Sequence, residues 1–342
     1  MQRIYGWEKD AGRKLKALYR QSGIDTRYSV IPDYSLPADQ WKFYPPTENL
    51  EPFPSLEKRM RWYQEHAATL SLTAIHRCLE GRCAAREITH VITVSCTGMS
   101  APGLDLELVE ALGLPPEVFR TSVNFMGCYA AVHALKLAHA LAAAPQTKVL
   151  IVCTELCTLH FQQTPTLDNM LSSLLFSDGS AAALIVSDDT DIDADVPALR
   201  LKNFYSEIIP EGKKDMSWRL SSTGFQMTLT SYVTDLIRAD FATLVGHALD
   251  KSGHERGQIG SWCIHPGGKK ILDAIAASLS FSEGELEPSY AILQQYGNMS
   301  SPTILFVLQQ LMENLQYRQP NCIFGAAFGP GLTMETFVAE AI

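Results

Sequence analysis

Apolar runs that alternate with helical stretches constrain the fold of this chain more than any other feature. Such runs span residues 88–94, 148–153 and 181–186, and each is typical of a parallel strand that is buried on both faces. Helical patterns occupy residues 56–78 and residues 129–143. Strands that alternate with helices predict an α/β fold with mostly parallel sheets.

The length of the chain allows two packed halves. A chain of 342 residues can bury a large core and form two halves of one globule. The acidic stretch at residues 187–195 (SDDTDIDAD) is the best candidate for the junction, and a surface loop within one domain is an equally good alternative. We therefore predict one half at residues 1–190 and the other at residues 191–342.

Composition excludes several classes of protein. The hydrophobic content of 46% with 19% charged residues is typical of a globular protein. The formal net charge of −9, without a basic domain, argues against nucleic acid as the main partner. The eight cysteines form no paired Cys-x-x-Cys elements, so we expect no metal site and reduced thiols. Without a secretory signal or an apolar span of about twenty residues, the sequence predicts a cytoplasmic protein with no membrane span.

Cys128 is the first candidate for a catalytic residue. It lies in residues 124–131 (NFMGCYAA), between an apolar approach and an Ala- and Leu-rich helical stretch. A thiol at the start of a helix faces unpaired N–H groups and the positive end of the helix dipole, and both favour the nucleophilic thiolate. Gly127 permits a sharp turn and leaves room for a substrate beside the sulfur. The alternative is a small buried apolar residue, which is what most free cysteines are.

A histidine and an asparagine complete an inventory for acyl chemistry. An apolar run ends at His265, and the Pro-Gly-Gly that follows predicts a turn before a helix over residues 269–279. Asn298 lies shortly before Ser301 and Pro302, which predict an N-cap and the first position of a helix. Taken singly, a structural histidine and ordinary turn chemistry are the better explanations. Together with the cysteine, they are the residue types that nucleophilic acyl transfer needs.

These segments resemble the type III polyketide synthases, the chalcone-synthase-like branch of the thiolase superfamily. The resemblance rests on residues 124–131 around the cysteine, 262–268 (WCIHPGG) around the histidine and 296–301 (YGNMSS) around the asparagine. Residues 175–179 (LFSDG) and 328–336 (FGPGLTMET) match as well. The resemblance runs over nearly the whole chain. It implies the thiolase-like fold, in which two similar βαβ-rich halves form a layered α/β/α/β/α core.

The resemblance also implies a reaction: decarboxylative condensation of malonyl-CoA units onto an acyl-CoA starter, followed by cyclisation. Coenzyme A thioesters are then the substrates, with no cofactor, and a homodimer is expected. Cys128 would hold the starter covalently, and His265 would keep its sulfur as thiolate. His265 and Asn298 would donate hydrogen bonds to the enolate that forms when malonyl loses carbon dioxide. The run at residues 158–162 (TLHFQ) resembles bacterial members and favours a bacterial-type enzyme.

Further site residues follow only from their match to positions of the family. We expect Phe176 at the mouth of the site and Met227 at a second gatekeeping position, for which Phe225 is a competing candidate. Lys14 best matches a contact with the phosphates of coenzyme A. Trp218 should fill volume and restrict or redirect the growing chain, unless it is an ordinary packed tryptophan. The other residues expected to line the substrate cavity are Cys96, Thr97, Cys157, His160, Ser300, Phe328, Gly329, Pro330 and Gly331.

The chain departs from the family pattern at its beginning, and two other functions compete with the one implied. Members usually carry an additional N-terminal segment with a core strand. Either the sequence starts short of that segment, or the protein replaces the strand in another way. A missing central strand would expose sheet edges and weaken the core. A ketoacyl-carrier-protein synthase of the same fold shares Cys, His and Asn, and its carrier-protein substrates would distinguish it. A non-catalytic partner that retains the fold would be inert to every acyl-CoA.

Overall fold

Two four-stranded β-sheets organise the molecule, with helices packed on and between them. The computed structural model describes residues 9–193, 196–230, 232–315 and 321–342. The strands are β1 His90–Ser95, β2 Phe119–Asn124, β3 Lys148–Leu156, β4 Asp178–Val186, β5 Leu199–Ile208, β6 Met216–Ser221, β7 Gly224–Leu229, β8 Ile259–Ile264, β9 Cys322–Gly329 and β10 Thr333–Ala341. The helices are α1 Lys9–Gln21, α2 Leu56–Leu79, α3 Leu104–Leu112, α4 Ala130–Leu141, α5 Leu167–Leu175, α6 Tyr232–Ser252, α7 Lys269–Ser278, α8 Glu287–Tyr296 and α9 Pro302–Asn314.

Both sheets contain parallel and antiparallel strand pairs, in different arrangements. In the first, with the order β2-β1-β3-β4, β1 is parallel to both neighbours and β4 is antiparallel to β3. In the second, with the order β5-β10-β9-β8, β8 is parallel to β9 and β10 is antiparallel to β9 and β5. The predictions of a parallel strand at residues 181–186 and of mostly parallel sheets are therefore wrong. An apolar run indicates burial on both faces and carries no information about direction.

Strand β3 shows how the apolar runs build the layers. Val149 and Ile151 belong to a hydrophobic core that also contains residues of α4 and α9. Leu150 and Val152 belong to a different core, which contains residues of α2. Because successive side chains of a strand point to opposite faces, the uninterrupted apolar run of β3 serves both cores.

Helices α4 and α9 lie between the two sheets. The core that contains them includes Ile92 of the first sheet together with Ile323 and Phe337 of the second. Helix α2 packs on the outer face of the first sheet, and α6 and α7 pack on the outer face of the second. The layers thus alternate as α/β/α/β/α, and the predicted thiolase-like fold is confirmed.

The first sheet is continuous across its four strands. Strand β1 is hydrogen-bonded to β2 on one side and to β3 on the other, and β3 continues to β4. The described strands pair without a gap and leave β2 and β4 at the edges of the sheet, and the expectation of a missing strand stays a prediction. Within the described ranges, no helix is long and apolar enough to cross a membrane.

Candidate active site

A sharp backbone turn between β2 and α4 presents Cys128. Gly127 has a φ of 80°, and a Cβ at this position would lie 2.2 Å from Cδ of Pro330, so the turn requires glycine. Phe125 also has a positive φ, of 58°, which is uncommon for a residue with a side chain. Residues Gly127–Tyr129 form a 3-10 turn that leads into α4. Cys128 therefore lies at the beginning of a helix, as predicted, and borders a cavity of ≈ 550 Å³.

The thiol of Cys128 contacts the loop that precedes α9. Its Sγ donates to Oγ of Ser300 at 3.6 Å and lies 4.0 Å from Oδ1 of Asn298. Although the residue is half-buried, burial of the sulfur among protein atoms raises the pKa of the thiol to about 11, against the lowering effect of these two contacts. Burial of the sulfur thus opposes the predicted preference for the thiolate.

His265 follows β8 directly, where the sequence predicts the end of a strand. Its backbone N–H donates to the oxygen of Ala326 at 2.9 Å, and the turn through Gly267 and Gly268 leads into α7. The residue is 2% exposed, and neither ring nitrogen has a hydrogen-bond partner among the described residues. Burial lowers the pKa of the imidazole to about 3. His265 is thus a neutral ring with unused hydrogen-bonding capacity.

Asn298 lies in a tight turn that fixes the orientation of its amide. Its Oδ1 accepts from the backbone N–H of Ser300 at 2.8 Å, and Ser300 has a left-handed φ of 61°. Its Nδ2 donates to the oxygen of Gly267 at 3.4 Å, in the turn that follows His265. The asparagine therefore contacts both Cys128 and the loop that carries the histidine.

Glu155 is the centre of a buried hydrogen-bond cluster that the motifs do not predict. It lies near the end of β3 and is fully buried. Its carboxylate accepts from the N–H of Cys96 at 2.8 Å, from Oγ1 of Thr97 at 2.7 Å and from Oγ of Ser301 at 2.8 Å. Burial raises the pKa of the carboxyl to about 7, against the effect of these hydrogen bonds. A single charged residue within an otherwise apolar run is the signal that could have identified it.

The loop before α9 differs from the prediction in one respect. Pro302 occupies the first helical position, as predicted, but Ser301 does not cap the helix, because its hydroxyl donates to Glu155. Oγ1 of Thr303 instead accepts from the N–H of Met299 at 2.8 Å. A buried carboxylate from a distant strand competes for the Ser301 hydroxyl, and a local pattern cannot reveal such a competitor.

Most residues that the resemblance assigns to the substrate line the cavity beside the cysteine. These wall residues are Cys96, Thr97, Cys157, His160, Phe176, Trp218, Met227, Ser300, Gly329 and Pro330. Phe225, the competing candidate for the position of Met227, lines the cavity too. Phe328 instead packs in the outer core of the second sheet against Phe241, with ring centroids 5.6 Å apart. The expectation that Phe328 and Gly331 line the cavity is wrong, since neither belongs to the described wall.

Hydrogen bonds to the backbone hold the wall around His160. Nε2 of His160 donates to the oxygen of Thr97 at 2.7 Å, and Nδ1 accepts from the N–H of Phe225 at 3.0 Å. The imidazole stacks on the Phe225 ring at 4.2 Å and meets the Trp218 ring edge-on at 5.7 Å. Nε1 of Trp218 donates to the oxygen of Cys96 at 2.7 Å. This part of the wall presents ring surfaces whose polar atoms are already paired.

Two further expectations are the contact of Lys14 with coenzyme A and the lack of a metal site. Lys14 belongs to α1, but its side chain lies outside the described part of the chain. In the ranges that the structure covers, no group of three His, Cys, Asp or Glu side chains is placed to hold a metal ion. All eight cysteines are free thiols.

Comparison with known proteins identifies the family. The family models for chalcone and stilbene synthases match over residues 7–189 for the N-terminal domain and 200–342 for the C-terminal domain. The alpha-pyrone synthesis polyketide synthase-like protein Pks18 of Mycobacterium tuberculosis is 29% identical over 96% of this chain and 82% of its own length. Type III polyketide synthase B of Arabidopsis thaliana is 30% identical over 96% of this chain and 85% of its own length. Probable polyketide synthase 1 of Dictyostelium discoideum is 31% identical over 95% of this chain, which spans only 10% of that relative.

Solved structures agree with the sequence relatives. The C-terminal type III polyketide synthase domain of Steely1, a type I/III hybrid from Dictyostelium, has a TM-score of 0.89 and 30% identity, and the match covers 99% of this chain and 93% of that domain. The 1,3,6,8-tetrahydroxynaphthalene synthase of Streptomyces coelicolor has a TM-score of 0.86 and 26% identity, with 99% and 92% covered. These matches favour the polyketide branch over the carrier-protein synthases. The chain belongs to the chalcone and stilbene synthase family, the type III polyketide synthases.

Proposed function

We propose that the protein is an acyltransferase that loads an acyl group from acyl-CoA onto Cys128, extends it with malonyl-CoA and cyclises the product. The observation that carries the proposal is the contact of Cys128 with Asn298 beside a cavity of ≈ 550 Å³, next to the loop of an unpartnered buried histidine. The alpha-pyrone synthesis named for the mycobacterial relative supports a cyclised product.

Loading begins with the proton of the thiol. Burial keeps both Cys128 and His265 neutral at pH 7, with pKa values of about 11 and about 3, so the imidazole has a free nitrogen that can accept this proton. The sulfur attacks the thioester carbonyl carbon, and the bond between that carbon and the sulfur of coenzyme A breaks. Coenzyme A leaves with the proton from His265, and the acyl group stays on Cys128.

Extension uses the same hydrogen-bonding groups on a second substrate. The malonyl carboxylate leaves as carbon dioxide, and its electron pair becomes the enolate of acetyl-CoA. His265 and Asn298 donate to the enolate oxygen, and such a donor typically contributes about 3 kcal/mol. The enolate carbon attacks the acyl carbonyl and displaces the sulfur of Cys128. The lengthened chain, now on coenzyme A, returns to Cys128 by a second transfer.

The cavity wall supports selection by shape more than by polar recognition. The polar atoms of His160 and Trp218 are paired with the backbone, so these residues offer ring surfaces to the growing chain. We propose that Cys96, Thr97, Cys157 and the residues around them bound the product, with Phe176 at the mouth. Lys14 stays a proposal for the phosphates of coenzyme A, on the family resemblance alone.

We further propose a homodimer that forms through β2. This strand lies at the edge of the first sheet, and its residues Phe119, Arg120, Ser122 and Asn124 are exposed. An uncovered edge strand is a template for pairing with another chain, and an exposed aromatic side chain adds apolar area to such a contact.

Two other expectations also stay proposals. Free thiols at all eight cysteines support a reducing compartment, so we propose the cytoplasm. The boundary between halves at residue 190 is supported by the end of β4 at Val186 and the start of β5 at Leu199, which belong to different sheets.

Intact-protein mass after mixing with a panel of acyl-CoA esters tests the proposal. We expect a mass gain equal to the acyl group in the natural protein and none in Cys128→Ala. Addition of malonyl-CoA should then yield cyclised products, identified by mass spectrometry. A Cys128→Ala protein that makes product at the normal rate contradicts the proposal. Acylation only by carrier-protein thioesters would support the ketoacyl-carrier-protein synthase instead.

A further inference from the structure

Arg27 occupies the point where the segments that carry Phe176 and Asn298 meet. Its Nη1 donates to the backbone oxygens of Ser173 and Phe176, the latter at 3.2 Å. Its Nη2 donates to the hydroxyl of Tyr19 at 3.3 Å. Arg27 and Tyr19 both line the cavity, so this contact is part of the site.

The two accepting oxygens lie at the C-terminal end of α5. The last carbonyls of a helix have no partner within the helix, and they form the negative end of its dipole. A guanidinium supplies several N–H groups in a rigid plane, together with a positive charge. Phe176 is the first residue after α5, so Arg27 holds the backbone from which this gatekeeping side chain projects.

A short two-stranded bridge extends the contact to Asn298. The N–H of Asn298 donates to the oxygen of Leu175 at 2.9 Å, and the N–H of Ser177 donates to the oxygen of Asn298 at 3.0 Å. Gly297 has a φ of 69°, and a Cβ there would lie 2.9 Å from Cγ of Arg27. Arg27 therefore hydrogen-bonds one segment of the bridge and packs against the other.

Arg27 is itself supported from α8. The N–H groups of Asp25 and Thr26 donate to the oxygen of Gln294 at 2.9 and 3.2 Å. Nε2 of Gln294 donates to the carboxylate of Asp25 at 2.7 Å. Because Gln294 lies near the end of α8, the segment that carries Arg27 joins the ends of α5 and α8.

We propose that Arg27 is a positioning residue that fixes Phe176 and Asn298 relative to Cys128. The inference rests on the proposed function, in which Asn298 stabilises the enolate derived from malonyl-CoA. A misplacement of about 1 Å can cost on the order of a hundredfold in rate, so a looser bridge should slow this step. Loading of Cys128 depends less on Asn298 and should be affected less.

Arg256 offers a matched control. Its Nη2 donates to the oxygen of Leu279 at the end of α7, and its guanidinium lies 5.6 Å from the ring of Phe281. Arg27 likewise binds a helix end and lies 5.8 Å from the ring of Tyr19. Neither Arg256 nor its two contacts belong to the cavity wall described above. Arg256→Gln thus removes the same kind of interaction away from the site.

The experiment compares Arg27→Gln, Arg27→Lys and Arg256→Gln. In Arg27→Gln, hydrogen exchange at the amides of Phe176, Ser177 and Asn298 should quicken by at least about tenfold. The bridge should open more often, and so should the end of α5, where the N–H of Phe176 donates to the oxygen of Ser172. Decarboxylation of malonyl-CoA should fall by at least about tenfold, while acylation of the cysteine stays within about threefold. The lysine variant keeps the charge but loses the planar fork, so both effects should be intermediate. Arg256→Gln should show neither effect.

Unchanged exchange at these three amides in Arg27→Gln would overturn the proposal. Equal losses of decarboxylation and acylation would overturn it too, since they indicate a general loss of folded protein, which urea unfolding would report independently. If Arg256→Gln shows the same faster exchange and the same selective loss of decarboxylation as Arg27→Gln, the proposal is overturned as well. If the natural protein neither acylates its cysteine nor decarboxylates malonyl-CoA, the proposed function fails, and the exchange data still decide whether Arg27 holds the bridge.

Discussion

His160 and His265 are both buried histidines, and they differ in whether their ring nitrogens are paired. His160 is 5% exposed and His265 is 2% exposed, and burial lowers the pKa of each to about 3. His160 donates to the backbone of Thr97 and accepts from the backbone of Phe225. Among the described residues, His265 has no such partner at either nitrogen. The two histidines are thus similarly buried and have equally lowered pKa values, but within the described ranges only His160 has hydrogen-bond partners for its ring nitrogens.

This difference agrees with the roles that we propose, support of the cavity wall for His160 and chemistry for His265. An unpaired buried polar group costs about 1–3 kcal/mol, so a native fold keeps one mainly where function requires it. His265 retains the capacity to exchange a proton or to donate to a substrate. Both ring nitrogens of His160 are already hydrogen-bonded to the backbone of the cavity wall. The pKa direction alone would assign both residues to catalysis, whereas the hydrogen bonds distinguish them.

The largest expected effect is on catalysis at His265. His265→Gln removes the imidazole without removing a hydrogen bond seen in the structure, so condensation should slow by about a hundredfold to a thousandfold. The free energy of unfolding at pH 7 should change by less than about 1 kcal/mol. Initial rates of product formation and urea unfolding measure the two quantities. A normal rate in this variant would remove His265 from the proposed chemistry.

His160→Gln should show the opposite pattern. The change disturbs two hydrogen bonds to buried backbone groups and the stacking on Phe225, so the free energy of unfolding should fall by about 2–4 kcal/mol. The condensation rate per folded molecule should stay within about tenfold of normal. Urea unfolding with a parallel activity assay tests this. Unchanged stability with lost condensation would mean that hydrogen-bond pairing does not separate the two histidines.

The pH dependence of stability extends the comparison to Glu155. A group whose pKa is lower in the folded state than in the unfolded state contributes stability at pH values above its unfolded pKa. Burial lowers the pKa of His265 from 6.5 to about 3. This contribution is lost as pH falls from about 6.5 towards 3. The pKa of Glu155 is raised from 4.5 to about 7, so its contribution is present below about 4.5 and lost as pH rises through 7.

Variants should therefore respond to pH in opposite directions. Relative to the natural protein, His265→Gln should gain stability as pH falls from 7 to 4, and Glu155→Gln should gain stability as pH rises from 5 to 8. A glutamine fits the Glu155 cluster, because the hydroxyl of Ser301 can accept as well as donate. Urea midpoints measured across this range test both slopes. Parallel slopes would show that burial does not set these two pKa values.

Local sequence patterns predicted the segments of the site, and distant residues determined their environments. The turn after His265 and the start of α9 at Pro302 depend on neighbouring residues, and both were predicted. The hydrogen bond between Glu155 and Ser301 joins residues 146 positions apart. No local pattern could therefore show that the Ser301 hydroxyl would bind Glu155 and not the N-terminus of α9. The direction of β4 was predicted wrongly for the same reason. Whether β4 runs parallel or antiparallel to β3 depends on how the chain between them returns to the sheet.

The catalytic candidates were recognisable from residue types, but their chemical state was not. The position of Cys128 at the start of a helix predicted a thiolate, whereas the surrounding protein atoms raise the pKa of its thiol. Whether a histidine is paired depends on backbone groups supplied by other elements, as with Phe225 of β7 for His160. Burial and pairing are properties of the packed molecule, and a sequence motif does not contain them.

The smallest expected effect concerns Trp218, whose ring packs edge-on against His160. Trp218→Phe keeps a ring but leaves the oxygen of Cys96 without its donor, so the free energy of unfolding should fall by about 1 kcal/mol. Products should stay nearly the same if ring volume bounds the cavity, whereas Trp218→Ala should allow longer or differently folded chains. Product analysis by mass spectrometry compares the two variants. If both variants change the products equally, the volume of the ring is not what limits the growing chain. The hydrogen bond to Cys96, which fixes the orientation of the ring, would then be the determining feature.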